Sequence, residues 1–445
     1  MVSEIRIFPR ENGEHQRVHV ARLPGWDALE LLRPTSSPDA LECFYQIYRL
    51  YLVPSAPQYF GSLVLFTLPE DMTVPFSPHR PGCGHLADSL AIAAAALREG
   101  VTVRPDSITF RDPETQAFWE DLEARNCIRL VHGQLPTTMV LPVGRECGYL
   151  TQSRPEAAMK VNGSFFIMDP IDCSTPYDHI GAWFGLLVKK GIVESPPLFR
   201  REALTVKNDG TVSIERPDIR SLSVRIGGQV YRHGENARFC TRPEEMRSPA
   251  GQQALVITGR TLAAVCQDSS LIPCSGFIIC PYEPAELTPG ESVCYEGMED
   301  IRFAIQVGNS IVTAGEKTDG FHSTFYDFRD PKAIPYPPSL YPLDFHRARA
   351  ARIALGADAH GQPMILWAEG AAKLGHVPGQ DSCGASLSEM AQICQDAGMH
   401  WAVNLDGGGS AQLLLDNHRS LCLSDRSQED HAESERPVPM ALMIL

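Results

Sequence analysis

The chain lacks any run of about 18 apolar residues, the length needed to cross a bilayer as a helix. Its most helix-like apolar stretch, Leu86 to Leu97, is short and rich in alanine. That excludes a membrane-spanning helix. The first ten residues, MVSEIRIFPR, lack the apolar core of a secretory signal, so the expectation is a cytoplasmic protein. Positive charge is scarce: 39 Lys and Arg stand against 54 Asp and Glu, a net charge of -15. Binding to a nucleic-acid polymer needs clustered cations to neutralise phosphates. The short groups Arg200-Arg201 and Arg347-Ala348-Arg349 read instead as solvated surface. Neither nucleic acid nor membrane is expected as a partner. Cys-x-x-Cys pairs are missing as well. The 13 cysteines are odd in number and scattered from Cys43 to Cys422, which argues against a disulfide framework and against zinc. They read as free, mostly buried thiols that pack as small apolar residues. Internal repeats and low-complexity tracts are absent too.

What is present is a long, evenly mixed chain. With 445 residues, 43% hydrophobic and 21% charged, it has the material for a large core and, by length, for two or three domains. Residues 1–130 mix two kinds of pattern. Gly61 to Leu68, bounded by Pro57 and Pro69, reads as a strand. Leu86 to Arg98 and Pro113 to Arg125 read as helices, the second behind Asp112 as N-cap. Between strand and helix, Pro81-Gly82-Cys83-Gly84-His85 reads as a loop.

From residue 131 onward strands and Gly/Pro turns dominate. Gln253 to Thr258, Gly276 to Cys280, Ile301 to Val307 and Ile353 to Leu355 carry strand patterns, and Asp358-Ala359-His360-Gly361 predicts a hairpin turn into Met364 to Ala368. One late helix is well marked. Ser386-Leu387-Ser388-Glu389 is a capping box, Leu387, Met390, Ala391, Cys394 and Ala397 give an apolar face, and Gly398 stands at the stop. The expected fold is therefore α+β: a mixed β-sheet domain with few flanking helices over 131–445, preceded by a smaller α/β region, 1–130, of unknown role.

Three stretches carry chemistry. AVNLDGGGSAQLLL, Ala402 to Leu415, breaks two apolar runs with an acid, three glycines and a serine. Taken alone it reads as a β-turn. Consecutive glycine amides can also curl into an anion-binding nest, with Asp406 at its rim and the Ser410 hydroxyl beyond. In Lys160-Val161-Asn162-Gly163-Ser164-Phe165-Phe166 an Asn-Gly pair precedes two aromatics, which suits either a turn with core phenylalanines or a sugar site. Arg352 opens one strand and Glu369 closes its expected hairpin partner, which brings both toward one sheet end.

The order of these pieces matters more than any one of them. Asn-Gly-x-Phe-Phe, then Arg-x-Ala-Leu-Gly, a strand ending in Glu369-Gly370, the capped helix, Asn-Leu-Asp-Gly-Gly-Gly-Ser and finally Glu435-Arg436-Pro437-Val438-Pro439 resembles the phosphodiester glycosidase family. The resemblance spans residues 145–445 and is strongest over 352–445. Where family members often carry Asp-Gly-Arg, this chain has Glu369-Gly370-Ala371. The resemblance implies a hydrolase that cleaves the glycosidic bond of a sugar-1-phosphodiester or a related small phosphorylated glycoside. Asp406 and Glu369 would be its catalytic acids. Asn162, Gly163, Arg352, Asn404, Gly407, Gly408, Gly409 and Ser410 would bind substrate. No cofactor is expected and no metal-ligand set is evident, although a divalent ion at the acids stays open. The alternative is a non-catalytic module that binds a phosphorylated sugar or nucleotide through the same loop.

Overall fold

The computed structural model describes residues 1–10, 13–35, 147–167, 181–199, 201–242, 247–318, 348–371, 381–426 and 430–445, with single positions 113, 177, 245 and 377 and the backbone of strands within 58–142. The elements that build the site are, in chain order, β1 (Val2–Pro9), β2 (His15–Arg22), β3 (Glu30–Leu32), β4 (Met159–Asn162), β5 (Ser310–Thr313), β6 (Glu316–Lys317), β7 (Arg352–Asp358), β8 (Pro363–Ala368), α1 (Leu387–Asp396), β9 (Met399–Asn404), β10 (Leu413–Leu415), β11 (His418–Arg419) and β12 (Ala441–Ile444).

Seven of these strands form one sheet in the order β1-β2-β8-β7-β9-β5-β6, and five form a second in the order β3-β12-β4-β10-β11. The two sheets share a core. Ala21, Ile353, Leu355, Ile365, Trp367, Val403 and Leu405 from the first meet Leu31, Met159, Val161, Leu413, Leu442 and Ile444 from the second, all buried. Each fully buried aliphatic side chain of this layer contributes about 1.5–3 kcal/mol. Because side chains alternate along a strand, the other face of the first sheet presents Val18, Val20, Ala354, Leu366 and Ala368, which pack against Leu387, Met390, Ile393 and Cys394 of α1. The layers are thus helix, seven-stranded sheet, five-stranded sheet.

The expectation of an α+β fold with a mixed sheet is corrected here. The described structure is mostly β, α1 is the one α-helix among the named elements, and the named strand pairs are antiparallel, as β1 with β2, β2 with β8 and β7 with β9 are. The physical reason lies in the short apolar and β-branched runs of the described segments, which end at turn residues and pair with neighbouring strands instead of building a helical face. The strands Leu187–Lys189, Ile192–Ser195, Ala203–Lys207, Val212–Glu215 and Ile301–Gln306 show this in a further five-stranded sheet. The helices expected at 86–98 and 113–125, and the loop at 81–85, lie outside the described residues. The strand expected at Gly61 to Leu68 is found at Leu63–Thr67. β2 lies beside β8 and β3 beside β12, so the N-terminal strands are built into both sheets.

The late helix follows its sequence signals. The Ser386 side chain accepts from the Glu389 amide and the Glu389 carboxylate accepts from the Ser386 amide, closing the capping box. The hairpin at Asp358 to Gly361 joins β7 to β8, with Gly361 at φ 81°. The described cysteines are free thiols, buried at Cys147, Cys240, Cys274, Cys280, Cys383 and Cys394.

Gly356, the glycine of Arg-x-Ala-Leu-Gly, sits opposite Ala402 where β7 passes close to β9. A Cβ there would lie 2.0 Å from the Trp401 carbonyl oxygen and 2.8 Å from the Ala402 Cα. Backbone cannot yield as a side chain can. Gly356→Ala is expected to cost about 1–3 kcal/mol of stability, as overpacking does, and denaturant unfolding of the two proteins measures it.

Candidate active site

The loop after β9 is zipped to β7 by backbone hydrogen bonds. The Leu405 amide donates to the Ile353 carbonyl at 2.9 Å and the Gly408 amide to the Ala351 carbonyl at 2.8 Å. Gly408 to Ser410 then form a 3-10 turn. The three glycines have three different causes. A Cβ on Gly407 would stand 2.6 Å from the Ala351 oxygen, Gly408 holds φ at +59°, and a Cβ on Gly409 would collide with the Asp425 carboxylate at 2.0 Å and with Arg436. The amides of Gly407, Gly408 and Ser410 donate to the Asp406 carboxylate, to Ala351 and to Gly407 respectively. Those three donors are committed inside the protein. The turn is therefore closed on itself at these positions and presents Asp406 from a fixed backbone.

Asn162 and Gly163, at the end of β4, brace this loop from the second sheet. The Asn162 amide group donates to the Asp406 carbonyl at 2.8 Å, and its oxygen accepts from the Gln412 amide at 2.9 Å. The Gly163 carbonyl accepts from the Asp406 amide at 3.2 Å, and Met440 fills the space that a Gly163 side chain would need. Beneath the turn, Arg436 and Asp425 form a buried ion pair with Nε to Oδ2 at 2.9 Å and Nη2 to Oδ1 at 3.1 Å. Arg436 also reaches the Ser410 hydroxyl at 3.4 Å.

Arg352 and Glu369 do reach the same sheet end, but one residue out of step. Arg352 pairs with Ala368 across β7 and β8, and Asn404 pairs with Ala354 across β7 and β9. Both therefore face α1, and the Arg352 Nε donates to the Ala385 carbonyl just before that helix at 3.0 Å. Glu369 follows Ala368 and turns to the opposite face. There Arg17 Nε donates to its Oε2 at 2.5 Å and the Cys422 amide to its Oε1 at 2.7 Å. Ala351 lies between Glu369 and the Gly407-Gly408 turn, so the two backbones stand two strand spacings apart, about 10 Å.

Three other titratable groups in or beside these sheets have perturbed environments. His19, two residues along β2 from Arg17, hydrogen-bonds the Ser420 hydroxyl through Nδ1, and burial pushes its imidazole below the ordinary value. Burial and the nearby Glu433 carboxylate push the Cys422 thiol up to about 11, which keeps it protonated at neutral pH. Under the turn that follows β10, the buried Lys160 ammonium donates to the Leu150 and Ser153 carbonyls and to the Asn417 side chain at 2.5, 2.7 and 2.6 Å. Desolvation holds its pKa below the usual lysine range. Among the described residues no group of three or more His, Cys, Asp or Glu is placed to hold a metal ion.

Sequence reading singled out Asp406, Glu369, Arg352, Asn162 and the glycine turn, and missed Arg17 and Asp425. Arg436 stood inside a noted motif without a role. Arg17 carries no local signal, because it meets Glu369 across 352 positions of chain.

An antiparallel β protein whose site is built where two packed sheets meet, with an acid-bearing glycine turn at one sheet end, is the class that fold and site define. Over residues 277–445 the chain matches the family model described as phosphodiester glycosidase, so the family resemblance is borne out there. β5 to β12, with the Asp406 turn, fall inside the match; β1 to β4, with Arg17 and Asn162, fall outside it. No curated protein matches the chain. Among solved structures it is similar to a hypothetical protein from Synechocystis, at 18% identity and a TM-score of 0.40, covering 99% of this chain and 61% of that one. The chain thus spans about three-fifths of the length of that protein. It is also similar to the catalytic domain of zebrafish N-acetylglucosamine-1-phosphodiester alpha-N-acetylglucosaminidase, auto-inhibited by its pro-peptide, at 12% identity and a TM-score of 0.42, covering 100% of this chain and 82% of that one. No helix among the described residues is long and apolar enough to cross a membrane.

His19 makes a pH signature. Its folded pKa lies below the unfolded value of about 6.5, so its neutral form contributes stability above pH ~6.5 that is lost as pH falls through the folded value. Melting temperatures measured from pH 8 to pH 4 should fall more steeply below about pH 6.5 in the native protein than in His19→Gln.

Proposed function

We propose that the chain hydrolyses the glycosidic bond of a sugar-1-phosphodiester or a related small phosphorylated glycoside, with Asp406 as the acid at the reacting carbon. The observation that carries this reading is the family match, which contains the Asp406 turn whole. The bond to break joins an anomeric carbon to a phosphate oxygen. Its leaving group is a phosphate ester, already stable as an anion, so strong protonation of that oxygen is less necessary than for an ordinary glycoside. Stabilising positive charge on the sugar then carries more of the barrier.

Asp406 suits that task. Its backbone is held from both sheets, by the Asn162 amide group at its carbonyl and by the Gly163 carbonyl at its amide. Its Oδ1 is oriented by the Gly407 amide at 2.9 Å. A carboxylate so fixed either faces an oxocarbenium-like sugar or activates the attacking water. Asn162 acts through Asp406, because its side-chain oxygen and nitrogen are both engaged with the loop. Arg352 and Asn404 lie on the α1 side and contribute positive and polar character to the same sheet end.

A panel of sugar-1-phosphodiesters, scored for free sugar, tests the activity. Asp406→Asn should lower kcat by about 100-fold or more with a smaller change in KM, and label from heavy-oxygen water should appear in the sugar. Full activity in Asp406→Asn, or label in the phosphate, would remove this assignment. Saturable binding without release of sugar would mark the chain as a binding module instead.

A further inference from the structure

We infer that Arg17 is the phosphate anchor of this site, and that Glu369 is a positioning residue that aims it rather than an acid that reacts. The inference rests on the proposed phosphodiester substrate for the identity of its ligand, but its geometry is independent of the reaction. The backbone of Arg17 is locked on both sides. Its amide donates to the Ser382 hydroxyl at 3.1 Å, and its carbonyl accepts from the Glu369 amide and from the Gln16 side chain, each at 3.0 Å. One edge of the guanidinium is locked as well, by Nε to Glu369 Oε2 at 2.5 Å.

The other edge is open. The Arg17 side chain is 31% exposed while that of Glu369 is 1% exposed, and among the described residues neither η nitrogen of Arg17 has a hydrogen-bond partner. The other arginines of this sheet end differ. Arg352 spends its donors on the Ala385 and Ala348 carbonyls, and Arg436 spends its own on Asp425 and Ser410. A planar guanidinium held by a carboxylate at Nε and open at its η nitrogens is built to receive two oxygens of an oxyanion side by side. Its holder is not free to do chemistry. Both Glu369 oxygens are occupied, one by Arg17 and one by the Cys422 amide, and attack or proton transfer from Glu369 would have to break one of those bonds.

Position supports the pairing with Asp406. From β2 through β8 and β7 to the Gly407-Gly408 turn is three strand spacings, about 14 Å of backbone. One segment ties the two ends together, because Cys422 holds Glu369 and Asp425, three residues on, packs against Gly409. A substrate with its sugar at Asp406 and its phosphate toward Arg17 lies along that line.

The test is calorimetric titration of the full chain with inorganic phosphate, in the native protein, in Arg17→Lys and in the double variant Arg17→Met with Glu369→Gln. Lysine keeps the charge for Glu369 but lacks the planar pair of parallel donors that a guanidinium offers to two oxygens. The double variant removes both charges and leaves no buried carboxylate unpaired. Thermal unfolding confirms that each is folded. Phosphate affinity should fall at least tenfold in both variants. Equal affinity in a folded variant, or no phosphate binding by the native protein, overturns the anchor. Hydrolysis assays separate the two readings. Arg17-dependent phosphate binding with no phosphodiester hydrolysed removes the proposed function and leaves the anchor, whereas hydrolysis with an unchanged KM in Arg17→Lys removes the anchor and leaves the function.

Discussion

The Asn162 carboxamide, with the Gly163 carbonyl beside it, joins the two sheets at the point where the site is built. Asn162 ends a strand of the five-stranded sheet, yet both its side-chain atoms are spent on the loop that leaves the seven-stranded sheet, at Asp406 and Gln412. A buried amide group left half satisfied costs about 1–3 kcal/mol, so these two bonds fix the loop more firmly than apolar packing would. They also fix direction. Apolar contacts tolerate sliding, whereas a donor and an acceptor on one planar group define where each partner must lie. The Arg436-Asp425 pair works from below in the same sense, filling the space where a Gly409 side chain would be.

Charge at this sheet end is organised by burial. Asp425 with Arg436 and Glu369 with Arg17 each bring a carboxylate that is 1% exposed to a guanidinium, but Arg436 is 4% exposed and Arg17 is 31% exposed. A fully buried pair of this kind is a structural element, because its desolvation cost cancels much of its attraction. The half-open pair keeps a hydrated guanidinium edge and loses less. The two pairs therefore divide the labour between holding the turn and facing the solvent.

Much of this was legible in the sequence, and the rest failed for identifiable reasons. Ser386 to Glu389 announced the helix, Asp358 to Gly361 announced the hairpin, and the glycines announced a special loop, because each signal is local and its cause lies within a few residues. Glu369 and Arg352 were placed at one sheet end by the same hairpin logic. Their opposite faces depend on register, and a shift of one residue reverses every side chain. The reason for Gly409 could not be read at all, since it is an ion pair that arrives from residues 425 and 436. The expected α+β class gave way to a mostly β one among the described residues, because which short runs pair as strands is decided by partners distant in sequence.

The pairing of β2 with β8 has a consequence for how the protein is made. β2 ends at Arg22 and its neighbour begins at Pro363, so during synthesis the β1-β2 hairpin emerges long before the strand that covers its inner edge. Contacts so distant in sequence slow folding, and an uncovered strand edge invites association with other chains. The seven-stranded sheet closes late, and with it the site. Until Glu369 has been added, Arg17 has no carboxylate to hold it, and segments 352 positions apart must meet before this sheet end is complete.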